Sequence, residues 1–498
     1  MNNNGHTSTQ GEYRGDFTRD TFNPLKHFSR VLMQQGRVQL DADWNEQNSI
    51  LLYYLRMLAA DLIGPHGGPA KPDGTAGEGF MIAGTAGSSD FSIGEGHYYV
   101  HGILCENERP TDENGNPVDV TYLKQPGYPL PKKDGEPEPL SAGTHLVYLE
   151  VWERHVTYVE DEDKGQIDPS IREVALGGPD TTTRAKVAWQ VKVKTADSLD
   201  AKTMKSDYDA FRTALGDSIQ PGTGQLRARA KKAEGHDDAC CISPESRYRG
   251  PENQLYRVEI HRAGGAWGGT DQPKSSAATF KWSRENSSVI FPVQRLVTSL
   301  GGRTTVVLES LGRDTLHSLT EGDWVEIVDD DYILQNGSEP LLQVDTINHD
   351  DSEVTLKGTP ASQVGQFPAK HPLLRRWDHK AGDPKSGGLT IDENDGAALL
   401  QEGSDDKGWL SLENGVQIQF PPQEPAASYR TGDYWLIPAR VATGDVEWPG
   451  SVENPVSLPP HGIQHYYAPL WIISVDSDGK VTANNSDDCR RKFGPLTS

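Results

Sequence analysis

The chain has 498 residues, with 72 acidic against 48 basic side chains and a net charge of −24, so taken as a whole it repels a phosphate backbone. Its best basic stretch, Arg227, Arg229, Lys231 and Lys232, runs straight into Glu234, Asp237 and Asp238, and nucleic acid is excluded as an expected partner. The length exceeds one ordinary core and points to roughly two to four domains, while 51 Gly and 33 Pro beside 11 Trp, 17 Tyr and 11 Phe favour short strands joined by turns around large buried rings.

Residues 1–10 are polar and lack the basic-then-apolar layout of a secretory signal. The first 30 residues show no hydrophobic period and read as an extended arm. The spacing predicts a helix over residues 44–63: Asp43 and Glu46 stand at capping-box positions, and Gly64-Pro65 stops the run. Its apolar residues Trp44, Leu51, Leu55, Leu58 and Leu62 fall at heptad-like steps, and Ile50, Leu52, Tyr54 and Met57 widen the stripe. A helix this apolar needs neighbours, and these five residues form the candidate assembly surface. The apolar run Ile50–Leu55 ends at Arg56, far short of the roughly 20 residues a membrane span requires. The expectation is a soluble protein, made in the cytoplasm, with no membrane span.

Beyond the helix, residues 98–104 alternate around a glycine as a hairpin strand would. Residues 107–142 are rich in Pro, Gly, Asp and Glu and mark a surface loop or boundary. Strands are predicted at 144–158 and 189–194, a linking or inserted segment with helical propensity follows, and the β rhythm resumes at 253–261. Short strands then recur at 278–283, 289–291, 304–310, 324–329, 341–346 and 354–357, a spacing typical of a sandwich or small barrel. A last block holds strands at 417–420, 434–439 and 470–475. The chain therefore reads as mainly β and multidomain, with an N-terminal arm and one long helix. The expected partition is 1–65 (arm and helix), 66–197 (first β domain), 198–245 (linking segment), 246–375 (second β domain) and 376–498 (C-terminal β-rich block).

Chemistry-bearing motifs are scarce. Cys105, Cys240, Cys241 and Cys489 show no C-x-x-C spacing and read as reduced thiols. His236 with Cys240 and Cys241 lacks a second ligand cluster at zinc spacing. Asp41, Asp43 and Asn45 match the first ligands of an EF-hand loop, but Glu46 stands where that loop needs glycine and Leu52 where it needs glutamate. His461 and His465 are four apart, yet Pro459-Pro460 before them and Pro469 after them argue against a metal-binding helix. Phosphate-cradling, nucleophile-elbow and dinucleotide motifs are missing from the sequence. Neither an enzyme nor a cofactor is expected.

Several stretches together carry a resemblance: Gly15-Asp-Phe-Thr-Arg-Asp20, the run from His27 to Glu46, Tyr148-Leu-Glu-Val-Trp-Glu-Arg-His155, residues 248–261, Phe280-Lys-Trp-Ser-Arg-Glu-Asn286, Gly432-Asp-Tyr-Trp-Leu-Ile-Pro-Ala-Arg440 and His465-Tyr-Tyr-Ala-Pro-Leu470. The set resembles an uncharacterised bacterial family associated with gene clusters for contractile injection systems and related phage-tail particles. Leu32-Met-Gln-Gln-Gly-Arg-Val-Gln39 also looks like the N-terminal segment by which some phage baseplate and tail-fibre proteins attach a distal part to the particle. The resemblance implies a structural or adhesion component of such a particle, partnered by other baseplate or tail proteins, homo-oligomeric (a trimer by analogy with tail fibres) and released with the assembled particle. The rivals are a carbohydrate-binding or carbohydrate-active protein that takes a surface glycan on Trp267, which Gly264-Gly265 and Gly268-Gly269 flank, and an effector carried inside the particle.

Overall fold

The computed structural model describes residues 13–494 except 72–76, 85–87, 113–114, 128–129, 131, 134–135, 162–170, 179, 197–198, 217–221, 232–246, 270–272, 300, 313, 315 and 405–407. In chain order, helix α1 (Asp41–Ile63) is followed by β1 (His66–Pro69), β2 (Gly96–Val100), β3 (Ile103–Asn107), β4 (Gly143–Val156) and β5 (Arg184–Thr195). Two short helices, α2 (Ala201–Ser206) and α3 (Tyr208–Leu215), precede β6 (Arg227–Ala230), β7 (Gln254–Arg262) and β8 (Thr279–Ser283). Next come β9 (Ile290–Ser299), β10 (Arg303–Leu308), β11 (Trp324–Val328), β12 (Leu342–Asn348), β13 (Glu353–Lys357) and β14 (Leu373–Trp377). The remaining long strands are β15 (Val416–Gln419), β16 (Tyr434–Arg440), β17 (Tyr466–Val475) and β18 (Val481–Asp488), with a two-residue β19 (Lys492–Phe493). The protein is mainly β, built as several sheets and one closed six-stranded barrel.

The longest strand, β4, lies in a sheet of order β18-β17-β4-β5. Successive side chains of a strand point to opposite faces. On one face Val147, Leu149 and Val151 of β4 join Val191, Leu470 and Ile473 in a core closed by β2 and β3. On the other face Leu146 and Ile472 meet Met204, Phe211 and Leu215 of α2 and α3. Phe211 and Leu215 are four apart and so share one side of α3. Part of segment 198–245, read from its sequence as linking, therefore covers a sheet face.

The sheets cross the partition read along the chain. β17, from the C-terminal block, pairs with β4 (Tyr466↔Val151 to Val475↔Gly143), and β19 runs parallel to β1. β6 pairs with β15, and β7 lies between β8 and β16 in a five-stranded central sheet. One face of that sheet is apolar: Tyr256, Val258, Ile260, Phe280, Trp435 and Ile437 sit in the largest core cluster. The other face carries Arg257, Glu259, His261 and Lys281, and it too is buried.

Six antiparallel strands close the barrel in the order β9-β10-β13-β12-β11-β14. Alternate positions such as Val306 and Leu308, Val325 and Ile327, and Val354 and Leu356 fill its interior. The polar face of the central sheet meets the barrel through β11 and β14. Lys281 reaches Glu326 of β11 at 2.6 Å, and the Trp377 indole of β14 donates to the same carboxylate at 2.9 Å.

Candidate docking surface

The N-terminal segment is fastened before it becomes exposed. Arg14 is 9% exposed and places Nη1 at 2.7 Å and Nη2 at 3.2 Å from the two carboxylate oxygens of Glu259. Glu259 also takes Arg257 at 2.6 Å and Lys281 at 3.4 Å. Burial alone would raise its carboxyl, but Arg14, Arg257 and Lys281 outweigh that and hold it down at about 2. Asn286 donates to the Gly15 carbonyl at 2.9 Å, Arg440 to the Thr18 carbonyl at 2.8 Å, and Tyr13 Oη to Glu153 at 3.3 Å. Residues 13–18 are thus tied to β4 and to the central sheet, β16 included. A segment with few apolar residues is ordered here by charge and backbone hydrogen bonds.

From Thr18 the chain runs along α1. The Asp41 carboxylate accepts from the Thr18 amide at 2.8 Å and from its hydroxyl at 2.5 Å, and Glu46 accepts from Thr21 Oγ1 at 2.6 Å. The expected Asp43–Glu46 capping box does not form. The helix starts at Leu40 with no side-chain cap, and two of its first acidic residues hold the arm instead. Gly64 closes the other end, its amide donating to Ala60 O at 2.8 Å.

α1 meets the body through a narrow side. Ala42 and Ile50 are its buried residues, Tyr53 packs on Phe22 with ring centroids 5.9 Å apart, and Arg56 grips Glu153 of β4 with two bonds of 2.9 and 2.7 Å. The turn after β2 abuts the helix backbone. A Cβ at Gly102, whose φ is +77°, would lie 2.2 Å from the Arg56 carbonyl.

The outward side is apolar. The five residues singled out from the sequence, Trp44, Leu51, Leu55, Leu58 and Leu62, are each 56–62% exposed. Around them Leu52, Tyr54 and Met57 on the helix, and Leu25, Phe28, Leu32, Met33, Val38 and Leu40 before it, are also exposed. Among the described residues, 14 of the 22 exposed large hydrophobic side chains lie between residues 25 and 62. Each of the 14 is at least 45% exposed, a concentration of the kind that marks an interaction site. Residues 21–40 carry Lys26, Arg30 and Arg37 and no acidic residue, in a chain of net charge −24.

The other candidates from the sequence are not brought together. His461 stacks on Tyr434 at 5.3 Å, whereas His465 pairs with Glu150 at 2.9 Å. Among the described residues, groups of three or more His, Cys, Asp or Glu able to hold a metal ion are absent. His236, Cys240 and Cys241 lie outside the described residues. Cys105 and Cys489 are buried free thiols, and burial pushes Cys489 up to about 12. Trp267 is half-buried and its backbone amide donates to Leu400 O at 2.8 Å. A cleft of about 650 Å³ is walled by charges that pair among themselves, Lys71 with Glu78 at 2.5 Å and His97 with Glu106 at 3.2 Å. Among the described residues there is also no helix long and apolar enough to cross a membrane.

The buried ionic face of the central sheet was missed by sequence reasoning, since alternating polar residues in a strand ordinarily signal a solvated face. The available signal was Arg257-Val-Glu259-Ile-His261 itself, in which three ionisable residues share one side of a strand rich in apolar neighbours.

In comparisons with known proteins, neither a curated protein nor a solved structure matches this chain. Residues 13–223 and 198–483 match a family of unknown function, DUF6519. The match takes in the anchored segment, α1 and almost all of the β body, and the chain belongs to this family.

Proposed function

We propose that the protein is an architectural subunit of a contractile-injection or phage-tail-like particle, seated there by an N-terminal arm and one long helix that stand on a β body. The observation that carries this reading is the concentration of exposed apolar side chains between residues 25 and 62, on a segment whose base is locked into the body by Arg14 and whose helix is held by Arg56. An exposed apolar stretch with a rigid root is an attachment device, because the entropy of ordering it is already spent when the partner arrives. For residues 25–40 the charge pattern selects the partner: Lys26, Arg30 and Arg37, with no acid among residues 21–40, fit a neighbouring particle protein that presents an apolar, acidic surface. The resemblance of residues 32–39 to attachment segments of baseplate and tail-fibre proteins points the same way.

The test is the composition of purified particles. Mass spectrometry is expected to find the wild-type protein in intact particles and to lose it when Leu32, Met33 and Val38 are changed together to Ser, with the thermal melt of the isolated protein unchanged. Absence of the wild-type protein from intact particles refutes the proposal.

A further inference from the structure

We infer that α1 pairs in parallel and in register with α1 of a second copy of this chain, through a seam formed by Trp44, Asn48, Leu51, Leu55, Leu58 and Leu62. This deepens the assembly reading by naming one partner of the same surface. The six positions advance by 4, 3, 4, 3 and 4 residues, the alternation that keeps one face of a supercoiled helix turned toward its neighbour. All six are exposed in the isolated chain. The contacts α1 makes with its own protein come from other positions of the same heptad: Ala42, Ile50, Tyr53, Arg56 and Glu46. The helix therefore keeps Ala42, Ile50, Tyr53 and Arg56 against the body and leaves its leucines outward, whereas a surface helix that has found its place buries its main apolar stripe.

Three features select a second copy over an unrelated helix. The first is Asn48 in the middle of the leucine seam. Its Nδ2 already donates to Trp44 O at 3.0 Å, but opposite a leucine of another protein its Oδ1 would be buried without a donor, whereas in a parallel in-register pair it faces the Nδ2 of its own counterpart and fixes the register. The second is charge. A protein of net charge −24 repels its own copies least across a face poor in acid, and Asp61, near the C-terminal end of the helix, is the one acid beside this seam. The positions flanking the seam are Asn45, Gln47, Leu52, Tyr54, Ala59 and Asp61, while Asp43 and Glu46 lie on other sides of the helix. The third is size. At about 1.5 Å per residue, α1 is long enough for three heptads, and apolar Leu52 and Tyr54 widen the stripe as a bundle of two or three helices requires.

The experiment uses the purified full chain, without particle proteins, in analytical ultracentrifugation from 1 to 100 µM. A dimer or trimer is expected, and Leu51→Glu, Leu55→Glu and Leu58→Glu together should weaken it by about 100-fold or more while leaving the far-UV circular dichroism of the folded chain unchanged, since these side chains are exposed in the single chain; the melting temperature should fall only by what association had added. In a Cys240→Ser, Cys241→Ser background, Asn48→Cys should cross-link copies under mild oxidation, as parallel in-register pairing demands. A wild-type chain that stays monomeric up to 100 µM overturns the inference, and so does an oligomer in which Asn48→Cys fails to cross-link. Either result leaves the particle reading standing, because that reading is decided by particle composition.

Discussion

The buried charges that root the N-terminal segment lead to an asymmetric prediction. Around Glu259 three cations, Arg14, Arg257 and Lys281, face two carboxylates, Glu259 and Glu326, with Arg375 close enough to weigh on both Arg14 and Glu326. Cations are in excess, and Arg14 registers it. Burial lowers its pKa, Glu259 opposes the change, and Arg257 and Arg375 add to it, leaving the guanidinium at about 10. Removing one partner of a buried pair costs about 3–5 kcal/mol because the other charge is left uncompensated. Glu259→Gln leaves all the cations to Glu326 and should reach or exceed the top of that range. Arg14→Met removes one surplus cation, keeps most of the packing, and leaves Glu259 with two partners. Its cost should be that of the lost charge-assisted bonds, about 1.5–3 kcal/mol. Urea unfolding followed by tryptophan fluorescence measures both, and tryptic cleavage after Lys26 or Arg30 reports whether the arm has come loose in Arg14→Met, as expected. If Arg14→Met destabilises as much as Glu259→Gln, the charge accounting is wrong.

Two further predictions follow from the same geometry. Asp433 is 9% exposed, and burial, only partly offset by Arg430, raises its carboxyl to about 7; folding thus favours the neutral form, so its contribution is greatest at low pH and is lost as pH rises through about 7. Asp433→Asn should therefore melt higher than wild type at pH 8, with an advantage that grows from pH 5 to pH 7 and is constant above, and a pH-independent difference would contradict the assignment. Gly102→Ala combines a positive-φ cost of about 1–2 kcal/mol with a collision against the Arg56 carbonyl, and should both lower the melting temperature and expose α1 to trypsin at Arg56. Gly127→Ala, also at positive φ (+71°) but with open space around it, supplies the control and should lose only the strain.

Local pattern was legible wherever a strand has one apolar and one mixed face. The alternation over 144–158 and 253–261 located β4 and β7 to within a few residues. Partners were not legible, because the pattern of β4 says that one face is buried but not that β17, far along the chain, supplies its second edge. Strand β14 escaped altogether. Its sequence Leu373-Leu-Arg-Arg-Trp377 looks half solvated, yet Arg375 and Arg376 are 6% and 4% exposed, the latter donating to the Leu316 and Ser318 carbonyls at 2.7 and 2.9 Å. The same cause hid the Glu259 cluster: a charged residue signals water unless its counterions are known, and those come from other elements. The candidate docking surface was the opposite case. Trp44, Leu51, Leu55, Leu58 and Leu62 were conspicuous in the sequence, and only the surroundings in the folded chain could tell whether they faced a core.

The pairing of β17 with β4 also sets a timetable. At about 5–20 residues per second, synthesis of the stretch from Thr195, the end of β5, to Tyr466 takes roughly 15–55 s. Throughout that interval the β4–β5 hairpin has emerged, but the edge that β17 will occupy has no strand to bond, and Val147, Leu149 and Val151 have no complete core to enter. Such an edge invites pairing with the wrong chain. On a polysome, where neighbouring ribosomes carry nascent copies of the same chain, the weak point of this protein is therefore a waiting time, and translation slowed anywhere between β5 and β17 lengthens it without changing a single contact of the finished fold.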